Sequence, residues 1–373
     1  MKISLKMNKN YFFLTSLLLL LLIFGCKKEV FIEVEVDKEY SWQQHTGFLH
    51  SKKVQTNAFS TDRALYLLGI NTFSDIQIDP LNEEEIVMKN SILYFNYPIE
   101  ARIPITDNII AGIGESSFVV FYPTKNPFPS KGLEFSLKTL DPLFASFNTP
   151  YYTSGECFGL SETSQNQCLI PYYIYDTTYV ENNILQSEPN FYLINLSVED
   201  YFGGTFIDTI SCVRIEKEND WGKVFFIHTI EDNFYVTCRN KTMRIGVDGI
   251  PVTSFGGFFY RIFKHNDQLY ALSLDELYTS TDNGLTWSVI QEIDRNLVNI
   301  NYRVIDHNLI GYFKGQIFHF ELSDEGFTEI KEVLNDGIEN NQITSISKFS
   351  NKIYVTTLSG VFTKSIEDFL DYK

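Results

Sequence analysis

The chain holds many side chains that could do chemistry, but few are spaced for it. Among its 373 residues are 47 Asp and Glu, six His and five Cys. A zinc site wants close pairs such as C-x2-C, and a metalloprotease helix wants H-E-x-x-H. Neither spacing occurs, and no Gly-rich Lys loop or G-x-S-x-G elbow is present. Glu83, Glu84 and Glu85 follow Asp79 and Pro80 and read as a solvated loop. Calcium is the alternative there, though the D-x-D-x-[DN]-G ligand spacing is missing. His265 and His307 stand 307 − 265 = 42 residues apart in similar surroundings, which suggests a turn role in each copy of a repeat. His228 lies in an apolar run, whereas His45, His50 and His319 stand alone. No metal and no cofactor is expected. Against 47 acids stand only 30 Lys and Arg, a formal charge of −17, which argues against a nucleic-acid partner.

The cysteines divide by position. Lys2, Lys6 and Lys9 precede a mostly apolar run from Tyr11 to Phe24, and Gly25 and Cys26 follow it. That run is shorter than the ~20 residues of a membrane span and suits the ~7–15 of a signal-peptide core. The arrangement resembles a bacterial lipoprotein signal with its lipobox. The resemblance implies residues 1–25 as a cleaved leader, a diacylglycerol on Cys26, a short tether over 26–29, and one domain over 30–373. Two or more acyl chains anchor stably. The leader holds three Lys and no acid, so the mature chain of 373 − 25 = 348 residues carries 27 − 47 = −20. Lys27 after the cysteine points to the outer membrane, either periplasmic or surface-exposed. An oxidising compartment permits disulfides among Cys157, Cys168, Cys212 and Cys238. Cys157 and Cys168 bracket a polar loop and form the first candidate pair, worth about 3 kcal/mol. Cys212 with Cys238 is the second, and four cysteines allow three connectivities.

Self-comparison supplies the architecture. Tyr260–Asn266 matches Tyr302–Asn308 at an offset of 302 − 260 = 42. Leu269–Ser273 matches Ile353–Thr357 at 353 − 269 = 84, and Asp282-Asn283-Gly284 matches Asp324-Glu325-Gly326 at 42 again. An earlier copy begins at Asp232. Aromatic and β-branched residues alternate between polar turns, which predicts strands. Four short strands per ~40–50 residues is the pattern of a β-propeller blade, and the length suits about seven blades, with six or eight open. Leu65–Leu68, Ile109–Gly112 and Phe191–Ile194 each suit the second strand of a blade. The last copy stops after three strands near Phe369. Its fourth strand is expected from Val30–Val36 or from Ser41–Leu49, closing the ring and removing an edge.

One copy carries a motif. Ser280, Asp282, Gly284, Thr286 and Trp287 fit S-x-D-x-G-x-T-W. The segment resembles the Asp box, or BNR repeat, of sialidases, sortilin-type receptors and photosystem assembly factors. The resemblance implies a structural turn away from any active face, with Asp282 accepting backbone bonds, Gly284 at positive φ and Trp287 buried between blades. Asp324, Gly326 and Thr328 form a degenerate second copy, with Glu329 in place of Trp. Arg102-Ile103-Pro104 resembles the arginine motif of sialidases, but Ala101 stands where an aromatic is expected. The reading is an all-β propeller lipoprotein, expected to be a monomer. It acts as a noncatalytic binding or assembly module for a protein or glycan. The alternative is a glycoside hydrolase of sialidase-like or other propeller type. Phe118–Pro123 and Pro150–Tyr152 are candidate binding platforms.

Overall fold

Alternation in each second strand sends neighbouring side chains to opposite faces of a sheet. In Gln268–Leu272, Leu269 and Ala271 go to one buried cluster while Tyr270 and Leu272 go to another. A strand buried on both faces must sit between two sheets, and a ring of sheets supplies that everywhere.

The structure is a computed structural model. It describes residues 40–47, 54–62, 64–70, 72–79, 81–87, 91–92, 106–113, 118–124, 133–136, 139, 149–150, 159–161, 166–173, 189–201, 204–215 and 224–373. Tyr40–Lys373 is one compact unit. It is all-β and builds a seven-bladed β-propeller from seven sheets.

A two-residue strand, β1 (Gln43–Gln44), comes first in the chain. Blade 1 runs β2 (Gln55–Ser60), β3 (Ala64–Gly69), β4 (Thr72–Ile78) and β5 (Glu85–Val87), with β6 (Ser91–Ile92) also on β4. Blade 2 runs β7 (Ile109–Ile113), β8 (Phe118–Pro123) and β9 (Leu133–Ser136). In blade 3, β10 (Thr149–Pro150) and β11 (Gly159–Leu160) both pair with β12 (Gln167–Tyr173), followed by the long hairpin β13 (Pro189–Tyr201) and β14 (Gly204–Ile215). Phe191–Ile194 is therefore in a third strand, not a second one; the insertions before it hid the register. Blade 4 is β15 (Val224–Ile230), β16 (Asn233–Cys238), β17 (Thr242–Ile245) and β18 (Pro251–Phe255). Blade 5 is β19 (Arg261–His265), β20 (Gln268–Leu272), β21 (Glu276–Ser280) and β22 (Ser288–Glu292). Blade 6 is β23 (Asn301–Ile305), β24 (Asn308–Phe313), β25 (Gln316–Ser323) and β26 (Gly326–Glu332). Blade 7 is β27 (Ile343–Phe349), β28 (Lys352–Thr357) and β29 (Gly360–Ser365), completed by β1.

That completion is the expected closure. β1 lies antiparallel on β29, with Gln43 opposite Thr363 and Gln44 opposite Phe362. The closing strand comes from the Ser41–Leu49 stretch; Val30–Val36 lies outside the described residues. Trp42 is its plug. Its ring is buried, its indole N–H donates to Leu334 O at 3.0 Å, and Phe369 meets it edge-on at 6.2 Å. The C-terminus makes a second clasp that the sequence did not announce. Tyr372 bridges Val333 on the outer side of blade 6, and its hydroxyl lies 2.8 Å from His319 Nδ1. His319 is thus not an isolated histidine.

Seven buried clusters fill the seven seams. Blade 1 meets blade 2 through Leu68, Phe73 and Tyr122, and blade 7 meets blade 1 through Leu67, Tyr354 and Val361. Trp42 belongs to the seam between blades 6 and 7.

Two sequence expectations fail here. Cys168 is a buried thiol outside any disulfide, so the Cys157–Cys168 pair is not made. Burial pushes its thiol pKa up. Cys212 and Cys238 do not join each other either. Cys212 faces Ile194 across blade 3, while Cys238 faces Val224 in the next blade. At the base of the polar loop after Cys157, Ser161 N–H donates to Gln167 O and the Ser161 hydroxyl accepts from Gln167 N–H.

Candidate binding face

Antiparallel order puts the turns after first strands and after third strands on one face of the ring. The first-strand turns are tight. Ile230–Asn233, His265–Gln268, Ile305–Asn308 and Phe349–Lys352 each close a two-residue hairpin. Such hairpins want left-handed backbone, which Asn and Asp tolerate best. Asn266 and Asp267 have φ of 47° and 62°, and Asp306 and His307 have 47° and 67°.

These angles correct the repeat register. Asn266-Asp267 corresponds to Asp306-His307, an offset of 40 rather than 42. β21 has five residues and β25 has eight, so the offset grows to 42 only at the next turn. The similarity of His265 to His307 is therefore coincidental in position. His307 is a turn residue; His265 ends β19 and is buried. Burial, and then the neighbouring His307, push the His265 pKa down.

Around this face cations reach from one blade to the turn of the blade before. Lys264 Nζ lies 2.6 Å from Glu231 Oε1, and Lys348 pairs with Asp306. Val304 occupies the same strand position in blade 6 and makes no such link.

Where the turns of blades 7, 1 and 2 meet, a cavity of about 810 Å³ opens. Ser60, Thr61 and Asp62 enter it from blade 1, Asp107 from blade 2, and Lys348 and Ser350 from blade 7. Phe349 and Ile78 give it an apolar side. Pockets of ~300–1,000 Å³ with a few convergent polar groups are the usual small-molecule seats. No motif marks these residues in the sequence. Their signal was positional, since Ser60–Asp62 and Ser350 stand at the first-strand turn of their blades.

The Ser280–Trp287 turn follows a third strand and so lies on the same face as this cavity, not on the opposite face that its likeness to the Asp box implied. Asp282 Oδ1 accepts from Leu285 N–H at 3.0 Å and Thr286 N–H at 2.9 Å, and Oδ2 accepts from the Thr286 hydroxyl at 2.6 Å. The Ser280 hydroxyl donates to Asp282 at 2.8 Å and accepts from Gly284 N–H at 2.9 Å. The Thr286 hydroxyl above all, then the Thr286 N–H and Ser280, hold the Asp282 pKa down at about 2. Gly284 has φ +73°, and a Cβ there would lie 2.5 Å from the Tyr235 ring. Trp287 meets Phe259 at 5.0 Å and donates to Ser254 Oγ at 2.8 Å, across the seam between blades 4 and 5. The Asp282 carboxylate and the Ser280 hydroxyl bond within the turn, while the Asn283 and Gly284 carbonyls accept from Tyr235 and Ser254 of blade 4. The Asp324–Thr328 copy is held differently. Gly326 keeps positive φ, but the Phe327 N–H is taken by Gln291 of blade 5 at 2.8 Å, and Thr328 bonds to Glu321 O.

Glu85 departs from its solvated neighbours. Glu83 and Glu84 are exposed, whereas Glu85 is the first residue of β5 and reaches blade 7. Lys352 Nζ lies 2.6 Å from Oε1, Tyr354 donates to the same oxygen at 2.7 Å, and His45 Nε2 lies 3.1 Å from Oε2. Gly47 N–H donates to His45 Nδ1, which leaves Nε2 to carry the proton. The His45 bond first, then Lys352 and Tyr354, hold the Glu85 pKa down at about 2 against its burial. This node ties the N-terminal segment, blade 1 and blade 7 together. No local motif could reveal it, because its partners are 40 and 267 residues away.

Phe121 and Tyr122 are buried in blade seams, so neither ring is a binding platform. His228 is buried in its strand. Cys26, His50, Arg102, Tyr151, Tyr152 and Cys157 lie outside the described residues. Among the described residues no group of His, Cys, Asp and Glu is placed to hold a metal ion.

No protein-family model and no curated protein matches the sequence. Solved structures do match by shape. A catalytically inactive variant of virginiamycin B lyase from Staphylococcus aureus, with quinupristin, is 13% identical with a TM-score of 0.51, over 87% of this chain and 98% of its own. The computationally designed protein Ika8 is 8% identical with a TM-score of 0.47, over 85% and 97%. BamB from Moraxella catarrhalis is 9% identical with a TM-score of 0.41, over 83% and 82%. At such identities the first likeness establishes the fold alone: this chain is similar to propellers whose sequences it does not share.

Proposed function

We propose that this chain is a lipid-anchored binding module of the cell envelope, noncatalytic, whose turn face grips a protein or glycan. The observation that carries the reading is the cavity at the turns of blades 7, 1 and 2. It gathers hydroxyls, carboxylates and an ammonium from three blades, the convergence expected of a ligand seat. The Ser280–Trp287 turn is read as an Asp box that stiffens the same face. Its carboxylate is saturated by its own turn, so it is structural rather than catalytic. Anchoring rests on the leader and Cys26, Lys27 after it supports the outer membrane, and the propeller is read as a monomer.

Two measurements test this. The full-length chain should take up labelled fatty acid and partition with membranes, and Cys26→Ala should abolish both. A Cys26→Ala chain that still incorporates label refutes the anchor. A panel of oligosaccharides and peptides against the purified protein should give a ligand whose binding weakens when cavity residues change. Turnover of a bound glycan, lost when a cavity carboxylate is neutralised, would replace the noncatalytic reading with the hydrolase.

A further inference from the structure

We infer that the cavity at the turns of blades 7, 1 and 2 is a seat for a neutral oligosaccharide. This rests on the binding-module reading above. Three properties of the lining narrow the ligand chemistry. First, Asp62 and Asp107 both line the cavity, and the charge of Lys348 in the lining is already offset by its pair with Asp306. An anionic ligand would meet these carboxylates at short range and be repelled. Second, the polar groups are of mixed kind. Carboxylates accept from hydroxyls in charge-assisted bonds, the Ser60, Thr61 and Ser350 hydroxyls both donate and accept, and Lys348 donates. A point cation would use only the carboxylates and would face the Lys348 ammonium. A polyol uses every group in the set. Third, Phe349 and Ile78 add apolar surface beside the polar groups. A sugar ring has the matching duality, with hydroxyls at its edge and C–H groups on its face.

The positions of these groups are fixed by the fold. Ser350 sits in a strained turn with φ +54°, directly after Phe349 of β27. Thr61 N–H and the Thr61 hydroxyl both bond to Ala64 O, which sets the blade 1 turn. Thr106 does the same at Ile109 O in blade 2, one residue before Asp107. The seat is thus preorganised by the hairpins of blades 1 and 7 and by the Thr106–Ile109 turn that leads into β7, which limits the ordering cost of binding.

The test uses the full-length protein in a sugar-free zwitterionic detergent, titrated calorimetrically. The probes are cellohexaose, xylohexaose, mannohexaose and chitohexaose, with trigalacturonate as the anionic arm and hexa-arginine as the cationic arm. The variants are Asp62→Asn/Asp107→Asn and, on the same face outside the cavity, Asp248→Asn. Thermal melts check that both fold. A neutral hexasaccharide should bind with a Kd of about 1 mM or tighter. The double variant should weaken it by about tenfold or more, and Asp248→Asn by less than about twofold. Preference for trigalacturonate or for hexa-arginine overturns the inference while leaving a binding module in place. So does sugar binding that the double variant leaves unchanged. Silence towards all four neutral sugars overturns it as well. Hydrolysis of a bound sugar would keep the seat and overturn the noncatalytic reading instead.

Discussion

A single turn shows how far residue types can be read. Ser280, Asp282 and Gly284 were legible as a unit because each bonds to a neighbour within four positions, whereas the partners of Trp287 lie in blade 4. Gly284 is the least replaceable, since its φ is +73° and Tyr235 occupies the space of a side chain. Gly284→Ala should lower stability by about 1–3 kcal/mol, measured by thermal or denaturant unfolding. Glu85 could not be read, because His45, Lys352 and Tyr354 reach it from elsewhere in the chain. The folded pKa of Glu85, and of Asp282, lies below the ordinary carboxylate value. Their contributions are therefore complete above about pH 4.5 and are lost as pH falls towards 2. Melting temperatures taken between those limits should fall steeply. Glu85→Gln should flatten the fall and cost about 1–2 kcal/mol at neutral pH, after allowance for solvent screening. The cysteines were legible as positions but not as bonds. Cys168 should react with iodoacetamide only after denaturation, as its burial requires.

Elements were read best where they are regular. Strands of blades 4 to 7 alternate cleanly and end at Asn, Asp and Gly turns, so their existence followed from period and turn chemistry. Their alignment did not. The extra length of β25 shifted the next turn, and matching by identity set His265 against His307, although its structural counterpart is Ile305. In blade 3 a register shift between Asn195 and Leu196 and a hairpin of 13 and 12 residues broke the pattern altogether. The terminal clasps behave as one element made from two ends. Trp42 packs on Phe369 and over the buried ammonium of Lys364, whose pKa burial pushes down. Trp42→Ala should cost about 3–5 kcal/mol. Truncation before Phe369 should cost less in the Trp42→Ala background than in the parent, because the two share a contact. Additive losses in chemical denaturation would show that the clasps act separately.

At the scale of the whole molecule the ring is a chain of seams. Each seam buries side chains from two blades, and no blade has a core of its own. Repeat proteins of this kind can lose terminal units one at a time, but a closed ring cannot. Unfolding of the Tyr40–Lys373 unit should therefore be a single transition. Coincident loss of far-UV and aromatic circular dichroism would verify it, and separated transitions would refute it. The closed ring was legible from the count of copies and the missing last strand. The clasp by Tyr372 was not, since one bridge leaves no periodic trace.

The closing strand also orders events in time. β1 leads the described chain, yet its hydrogen-bonding partner β29 is made about 320 residues later. During synthesis or export the first segment must wait while six blades and most of a seventh form behind it. Bringing such distant ends together carries a loop-closure cost that nearby hairpins never meet, and long-range pairings are the slow ones. A two-residue pairing repays little of that cost alone. The Trp42 plug and the Glu85 node supply the rest, so the ring becomes a protein only when its oldest residues meet its newest.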